Sequence, residues 1–322
     1  MNSVALRSVP RGFAGLAAIA ALALGSFALR PSFAGDPAPA VAAEAKTFAS
    51  PEDAAAALVA ALEKNDDAAL DAIFGPGSAD VRESSTDVVV AKRRRELTVL
   101  AKTLTSIDRT DPERLVVQFG YDAWPFPVPL VKKADRWAFD LAAGRDEILA
   151  RQIGRNELTA ISICRTYVDM QVAYAEKDRD GDKVREYAQR ILSTPGSHDG
   201  LHWEGSTTDD PSPLAARLTS MKDLLEGRVA GAPFAGYTWR VLDAQGANAP
   251  GGAHSYVING NMIAGFALVG TPAEYRKTGV KTFLVSHHGD VYEKDLGEKS
   301  LDLAKAITTF DPDSSWAVVP QD

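Results

Sequence analysis

The sequence predicts an α+β fold: N-terminal helices with a small antiparallel sheet, then a long spine helix packed on a C-terminal antiparallel sheet. Three observations carry that expectation. Helix-capping residues open the structured chain at Ser50-Pro51, an unbroken helical pattern runs from Gly144 to Glu176, and β-type alternation with an Asn-Gly turn fills the region after Tyr237. Helices followed by a curled sheet make an α+β unit, because each element has one apolar face to bury against another.

The chain opens with Arg7 and Arg11, then runs almost without a polar side chain from Phe13 to Leu29, and leaves through Ser32-Phe33-Ala34. Charged head, apolar middle and small-x-small exit form a secretory signal, so residues 1–34 are expected to be removed after Ala34. The apolar run is shorter than the roughly 20 residues of a spanning helix. No cysteine stands near the exit and no arginine pair precedes the run, which favours the general export route without a lipid anchor. Nothing later in the sequence is apolar enough to span a bilayer. The expected location is therefore periplasmic or secreted, with no transmembrane segment after cleavage.

Export sharpens the charge. Loss of Arg7, Arg11 and Arg30, with no acid among the first 34 residues, takes the formal charge from −8 to −11. Nucleic acid is excluded as a partner on that count, since phosphate backbones demand clustered Lys and Arg. The one basic run, Lys92 to Arg95, reads as a solvated helix face. An envelope protein or a ligand is the expected partner. Cys164 is the only cysteine, so no internal disulfide forms and stability must come from packed cores.

Residues 35–47 are Ala/Pro-rich, carry no periodicity and read as a disordered linker. An α+β domain follows over 48–143. Ser50 is placed to cap a helix that runs to Lys64, with Pro51 at its first position and Asp53 in the capping-box place. A short helix covers Ala68 to Phe74, and a third runs from about Thr86 to Leu100. Leu115, Val117 and Phe119 alternate on one face of a strand. Prolines at 125, 127 and 129 forbid a central strand but permit an extended edge. Arg136 to Leu141 returns as a strand after the turn at Lys133–Asp135.

The second domain, 144–322, begins with the spine helix. Ile161, Cys164, Val168, Val172 and Ala175 form one stripe, and Ala160, Ile163, Tyr167, Met170 and Tyr174 a second beside it. A helix apolar over more than half its circumference is expected to be covered on two sides. A second helix is expected from Lys183 to Leu192, a long polar loop from Pro195 to Pro213, and a further helix from Pro213 to Glu226. Strands follow at Tyr237–Leu242, Ser255–Ile258, Met262–Val269, Val280–Val285 and Val291–Leu296, with Asn259-Gly260 as a hairpin turn. A last helix covers Leu301 to Ile307.

On the segments Asp122 to Val131, Gly154 to Leu158, Ser193 to Gly196, Ala264 to Val269, Tyr292 to Gly297 and Phe310 to Asp313, the chain resembles a bacterial secreted family catalogued as domain of unknown function 2950. The resemblance spans residues 48 to 317 and implies no particular activity. More distantly, Asn156 to Ile161, Arg165, Gln171, Tyr174, Asp180 to Asp182 and Glu186-Tyr187 are similar to the helix of pilin-like proteins. That likeness implies a long helix lying on an antiparallel sheet. A pilin-type processing site is missing, and an α+β unit precedes the helix instead.

One loop carries candidate ligands. Asp178, Asp180 and Asp182 stand at alternate positions between two expected helices, as in the opening of a calcium loop, where a hard cation collects roughly six to eight oxygens. Glu186 is a candidate fourth ligand. The second half departs from that pattern: Lys183 replaces the turn glycine and Gln189 the closing bidentate acid. No cofactor is required by the sequence; a structural calcium is the one candidate, weighed against an aspartate-capped turn.

Other chemistry is weaker. His198 and His202 have zinc-like spacing, but Pro195, Gly196 and Gly200 argue against a helix there. His287-His288 reads as turn polarity, and His254 as a strand entry. Cys164 lies mid-helix among apolar neighbours, with Arg165 about 100° around, and reads as a structural thiol. No nucleophile elbow, zinc-protease motif, phosphate loop or Cys-x-x-Cys pair is present. The expectation is a non-enzymatic envelope module for binding or structure. The alternatives are an apolar-ligand site lined by Trp124, Phe126 and Trp137, and a hydrolase using Asp122 and Asp140.

Overall fold

A computed structural model describes residues 44–78, 88–207, 211–217 and 233–321. The signal segment 1–34, the linker up to residue 43, the helix start at Thr86 and the helical stretch 218–226 lie outside the described residues. The α+β architecture is the one expected.

The first core is built by three helices on one sheet. Helix α1 (Pro51–Lys64) starts where Ser50 Oγ accepts the Asp53 N–H at 3.1 Å, and ends at Asn65 in a left-handed turn. Helices α2 (Asp67–Phe74) and α3 (Val88–Thr103) follow. Strands β1 (Thr105–Asp108), β2 (Arg114–Phe119), β3 (Trp124–Pro125), β4 (Leu130–Lys133) and β5 (Arg136–Phe139) form an antiparallel sheet in the order β1-β2-β4-β5, with β3 also on β2. Residues 124–131 thus run along one side of β2. Phe126 donates its N–H to Val117 at 2.7 Å, while the prolines at 125, 127 and 129 leave that segment's other side without donors. The proline run is an edge, as expected, and becomes an inner strand only from Leu130.

Leu58, Val117, Phe119, Leu130 and Phe139 close this core with almost no exposure. At about 1.5–3 kcal/mol for each large apolar side chain withdrawn from water, such burial supplies the stability that disulfides do not. Residues 44–47, assigned to the linker by composition, are tied down. Lys46 N–H reaches the Ala72 carbonyl at 2.9 Å, and the Arg136 side chain bonds the Thr47 hydroxyl at 2.7 Å and its carbonyl at 2.9 Å. Local sequence could not report these partners, which lie up to 89 residues away.

Helix α4 (Leu141–Tyr174) is 34 residues long and starts at Asp140, whose carboxylate accepts the Ala142 and Ala143 N–H groups. Its first turn belongs to the first core through Leu141, and its last turns, from Ala160 to Tyr174, belong to a second. There one stripe is buried: Ala160, Cys164, Tyr167, Met170, Gln171 and Tyr174. Of the other expected stripe, Cys164 is buried and Ile161 and Val168 pack against the core, while Val172 is 55% exposed and faces water.

The chain then departs from expectation. No helix covers 183–192; residues 184–189 are irregular and Arg190–Leu192 is strand β6, parallel to β7 (Gly200–His202). The backbone there is claimed by distant partners. The buried Gln171 amide bonds both the N–H and the carbonyl of Ala188, each at 2.8 Å, and Tyr187 N–H donates to Met262. Gly200 lets the two strands approach, since a Cβ there would stand 2.7 Å from Ser193 N. The expected polar loop from 195 to 213 is accordingly interrupted by β7.

After α5 (Pro213–Arg217) comes β8 (Tyr237–Leu242), then two small hairpins: β9 (Ala244–Gln245) with β10 (His254–Ser255), and β11 (Val257–Ile258) with β12 (Asn261–Met262). The second turns on Asn259 and Gly260, both at positive φ, as the Asn-Gly signal predicts. The expected strand 262–269 is divided: Gly265, at φ +136, separates β12 from β13 (Ala267–Pro272). Strands β14 (Lys281–Ser286) and β15 (Val291–Asp295), helix α6 (Ser300–Lys305) and β16 (Ala317–Val318) complete the chain. The main sheet is antiparallel in the order β16-β15-β14-β13-β8, and α4 lies against it, chiefly on β14. Among the described residues no helix is long and apolar enough to cross a membrane.

Candidate metal centre

The loop that follows α4 is held at its base by Arg179. Its guanidinium lies over the rings of Tyr174 and Trp203, at 5.5 and 5.3 Å, and its Nε donates to the Tyr174 carbonyl at 3.3 Å. Beyond it the aspartates organise the turn. Asp178 accepts the Gly181 N–H at 2.7 Å on one oxygen and the Lys183 N–H at 2.9 Å on the other. Asp180 accepts the Asp182 N–H at 3.2 Å, and Asp182 the Val184 N–H at 2.7 Å. Gly181 and Lys183 both sit at positive φ, so the lysine occupies the turn glycine's place in the backbone conformation glycine would adopt.

Asp178, Asp180 and Asp182 each present an oxygen within 4.8 Å of the others, and all three are exposed. Such a cluster could in principle coordinate a metal ion. The Gly181 N–H, then the Lys183 N–H, hold the Asp178 carboxyl below its usual range, so it is ionised at neutral pH. Three carboxylates supply only part of the oxygen shell of a calcium ion, leaving the rest to water.

Glu186, the candidate fourth ligand, is not among the clustered carboxylates. Its Oε2 accepts the Met262 N–H at 2.8 Å, and Gln189 donates to the same oxygen at 3.3 Å. Asp182 is also drawn toward this hairpin, accepting from Asn261 Nδ2 at 2.6 Å. Gln189 completes the link by donating to the Gly260 carbonyl at 2.6 Å. The loop therefore joins the end of α4 to the β11–β12 hairpin, with no exiting helix. The hairpin was legible in sequence, but its contact with the loop, across about 75 residues of chain, was not.

The remaining candidates are separated or committed elsewhere. His198 stacks on Trp203 at 4.4 Å and its carbonyl accepts the Tyr174 hydroxyl, while His202 stands on β7 with Nδ1 3.2 Å from Ser212 Oγ. They lie on a turn and a strand, without the helical face that zinc spacing requires. Cys164 is fully buried, and burial pushes its thiol well above the ordinary range despite the nearby Arg165 charge. Asp140 caps α4, and Asp122 stands exposed in the turn before β3. Phe126 packs against Phe74, Phe119 and Phe139 at 5.7–6.2 Å, Trp124 lies at the surface under Arg151, and Trp137 bonds Phe48. Phe126 thus belongs to the packed core, with Trp124 at its exposed rim and Trp137 partly buried against it.

A family described as a protein of unknown function, DUF2950, matches residues 45–319. No curated protein and no solved structure matches the chain, so the likeness to pilin-type proteins finds no support there.

Proposed function

The chain belongs to the DUF2950 family across residues 45–319, and from that premise we propose that it is an exported, non-enzymatic module of the cell envelope that acts by binding or by structural support. Support comes from what the family-like segments do. In the Gly154–Leu158 segment, Asn156 Nδ2 donates to the Thr278 carbonyl at 2.8 Å, and Glu157 Oε1 accepts the N–H groups of Val280 and Lys281 at 2.8 and 3.0 Å. In the Ser193–Gly196 segment, Asp199 gathers the Thr194 N–H and hydroxyl and the Ser197 hydroxyl. Asn156 and Glu157 hold distant main chain in place, and Asp199 ties its own loop together through one main-chain N–H and two hydroxyls. Fractionation should find the protein in the periplasm with Gly35 at its N-terminus. Steady turnover of an envelope substrate, abolished by one carboxylate substitution, would overturn the non-enzymatic reading.

The finer part of the reading is that Asp178, Asp180 and Asp182 bind calcium and so brace the end of α4 against the β11–β12 hairpin. The metal is structural here and takes no part in chemistry. Metal-stripped protein should melt at a higher temperature in millimolar calcium, and Asp180→Ala should abolish the shift. An equal shift in both proteins, or none in either, assigns the loop to aspartate capping alone.

A further inference from the structure

Residues 254–265 carry β10 and the β11–β12 hairpin and lie as a flap against the turn between β14 and β15. Tyr256 is the centre of that flap. It is fully buried, its N–H donates to the Asp243 carbonyl at 2.7 Å, and its carbonyl accepts the N–H groups of Ile263 and Ala264, both at 3.1 Å. Gly265 then brings the chain close to the turn. At φ +136, a Cβ there would stand 2.7 Å from the Tyr256 ring and 2.7 Å from His287 Nδ1.

Three imidazoles gather at this contact. His254 belongs to the flap, with its ring nitrogens 3.1 Å from the Gly252 carbonyl and 3.4 Å from the Ala264 carbonyl, next to Gly265. His287 and His288 belong to the turn, their ring centroids 4.2 Å apart. The Tyr256 ring meets both sides edge-on, 5.6 Å from His254 and 5.6 Å from His287. His287 Nδ1 is buried and has no hydrogen-bond partner. Burial, then His288, and last His254 oppose a proton on His287; only the Phe266 carbonyl favours one, and no carboxylate acts on it. The nearest acid along the chain, Asp290, accepts from Gln321 at 3.4 Å. Tyr256 stays neutral, since burial pushes its hydroxyl up to about 12.

We propose that this contact is an acid-released latch. Histidine gains its charge between about pH 8 and 5. Here the charges arrive on both sides of one contact, His254 on the flap against His287 and His288 on the turn. Like charges at such spacing repel, and no acid bridges them. The flap then parts from the turn at Gly265, and the Tyr256 N–H leaves Asp243. The loop after α4 leans on that flap through Asn261 to Asp182, Met262 to Glu186 and Tyr187 to Met262, so acid also loosens its support. The release needs no metal; only its effect on calcium rests on the calcium reading of the aspartate loop.

Hydrogen exchange of the metal-stripped protein at about pH 7.5 and 5, corrected for the intrinsic effect of pH, tests this. The Tyr256, Tyr187 and Met262 amides should lose protection roughly tenfold at the lower pH, while those of β13 and β14 keep theirs. His254 is exposed, so its substitutions leave the core intact. His254→Lys sets a permanent charge on the flap and should move the release to higher pH; His254→Gln should move it lower. His287→Gln, on the opposite side, should suppress it. Equal protection at both pH values, or a loss that none of these changes moves, overturns the proposal. A loss shared equally by β13 and β14 is global unfolding and overturns it too. Because the metal is stripped throughout, the result stands apart from that of the calcium melt.

Discussion

A single carboxylate at position 157 takes two main-chain donors, Val280 and Lys281, at the entry to β14. Both bonds are partly buried, so Glu157→Ala leaves donors without a partner and should cost about 1–3 kcal/mol, read as a fall in the urea midpoint. Glu157→Gln keeps an acceptor and should cost less; equal losses would show that the acceptor is immaterial. His287 gives a pH dependence. Burial first, and then the His288 ring 4.2 Å away, hold its pKa below the usual 6.5, against a smaller opposite pull from the Phe266 carbonyl. The folded form prefers the neutral ring, whereas the unfolded chain binds a proton near pH 6.5. The stability this contributes is complete above that pH and is lost as pH falls toward the depressed folded value. The lowered carboxyls of Asp108, Asp178 and Asp313 give up their contribution only below about pH 3.8. The urea midpoint should therefore drop between about pH 7.5 and 5 in the native protein, and less in His287→Gln. Identical slopes would remove His287 from the account. Its sequence neighbours suggested only turn polarity, because the rings that bury it, Tyr256 and Phe266, lie at least 21 residues upstream.

Among the elements, α4 was the most legible and the most instructive in its errors. Its periodicity established a helix and both candidate faces, yet the Tyr167 stripe is buried at Ala160, Tyr167, Met170 and Tyr174 while the other runs from buried Cys164, through partly buried Ile161 and Val168, to Val172, which faces water. Gly154 interrupts this helix between its two buried ends, and a Cβ there would meet nothing within 4 Å. Gly154→Ala should raise stability by up to about 1 kcal/mol through helix propensity alone, measured as an increased melting temperature. A fall would mean that the helix needs to flex at that point. The failed helix at 183–192 is the complementary case. Val184, Tyr187, Ala188 and Ile191 have helical spacing, but Gln171 and Met262 take the backbone groups that a helix would use internally. Tertiary hydrogen bonds override a local pattern when their donors are buried and well placed.

At the scale of the molecule, the described residues form two apolar clusters that share the long helix α4, which enters the first with Leu141 and the second from Ala160 onward. Leu58, fully buried in the first core, tests how far they are coupled. Leu58→Ala should cost roughly 2–5 kcal/mol. Hydrogen exchange should show that cost in the amides of β2 and β4 while β13 and β14 stay protected, the behaviour of two units. Equal loss in both sheets would make them one cooperative body. The α+β class, the cap at Ser50, the edge role of the proline run and the Asn259-Gly260 turn were all determined by sequence, because each is signalled by residues within a few positions of one another. Only the tertiary structure decided that 190–192 pairs as a strand, that Glu186 accepts the Met262 N–H, and that Val172 of α4 faces water. Those outcomes depend on which distant backbone groups and rings arrive alongside, and burial makes their demands stronger than any local preference.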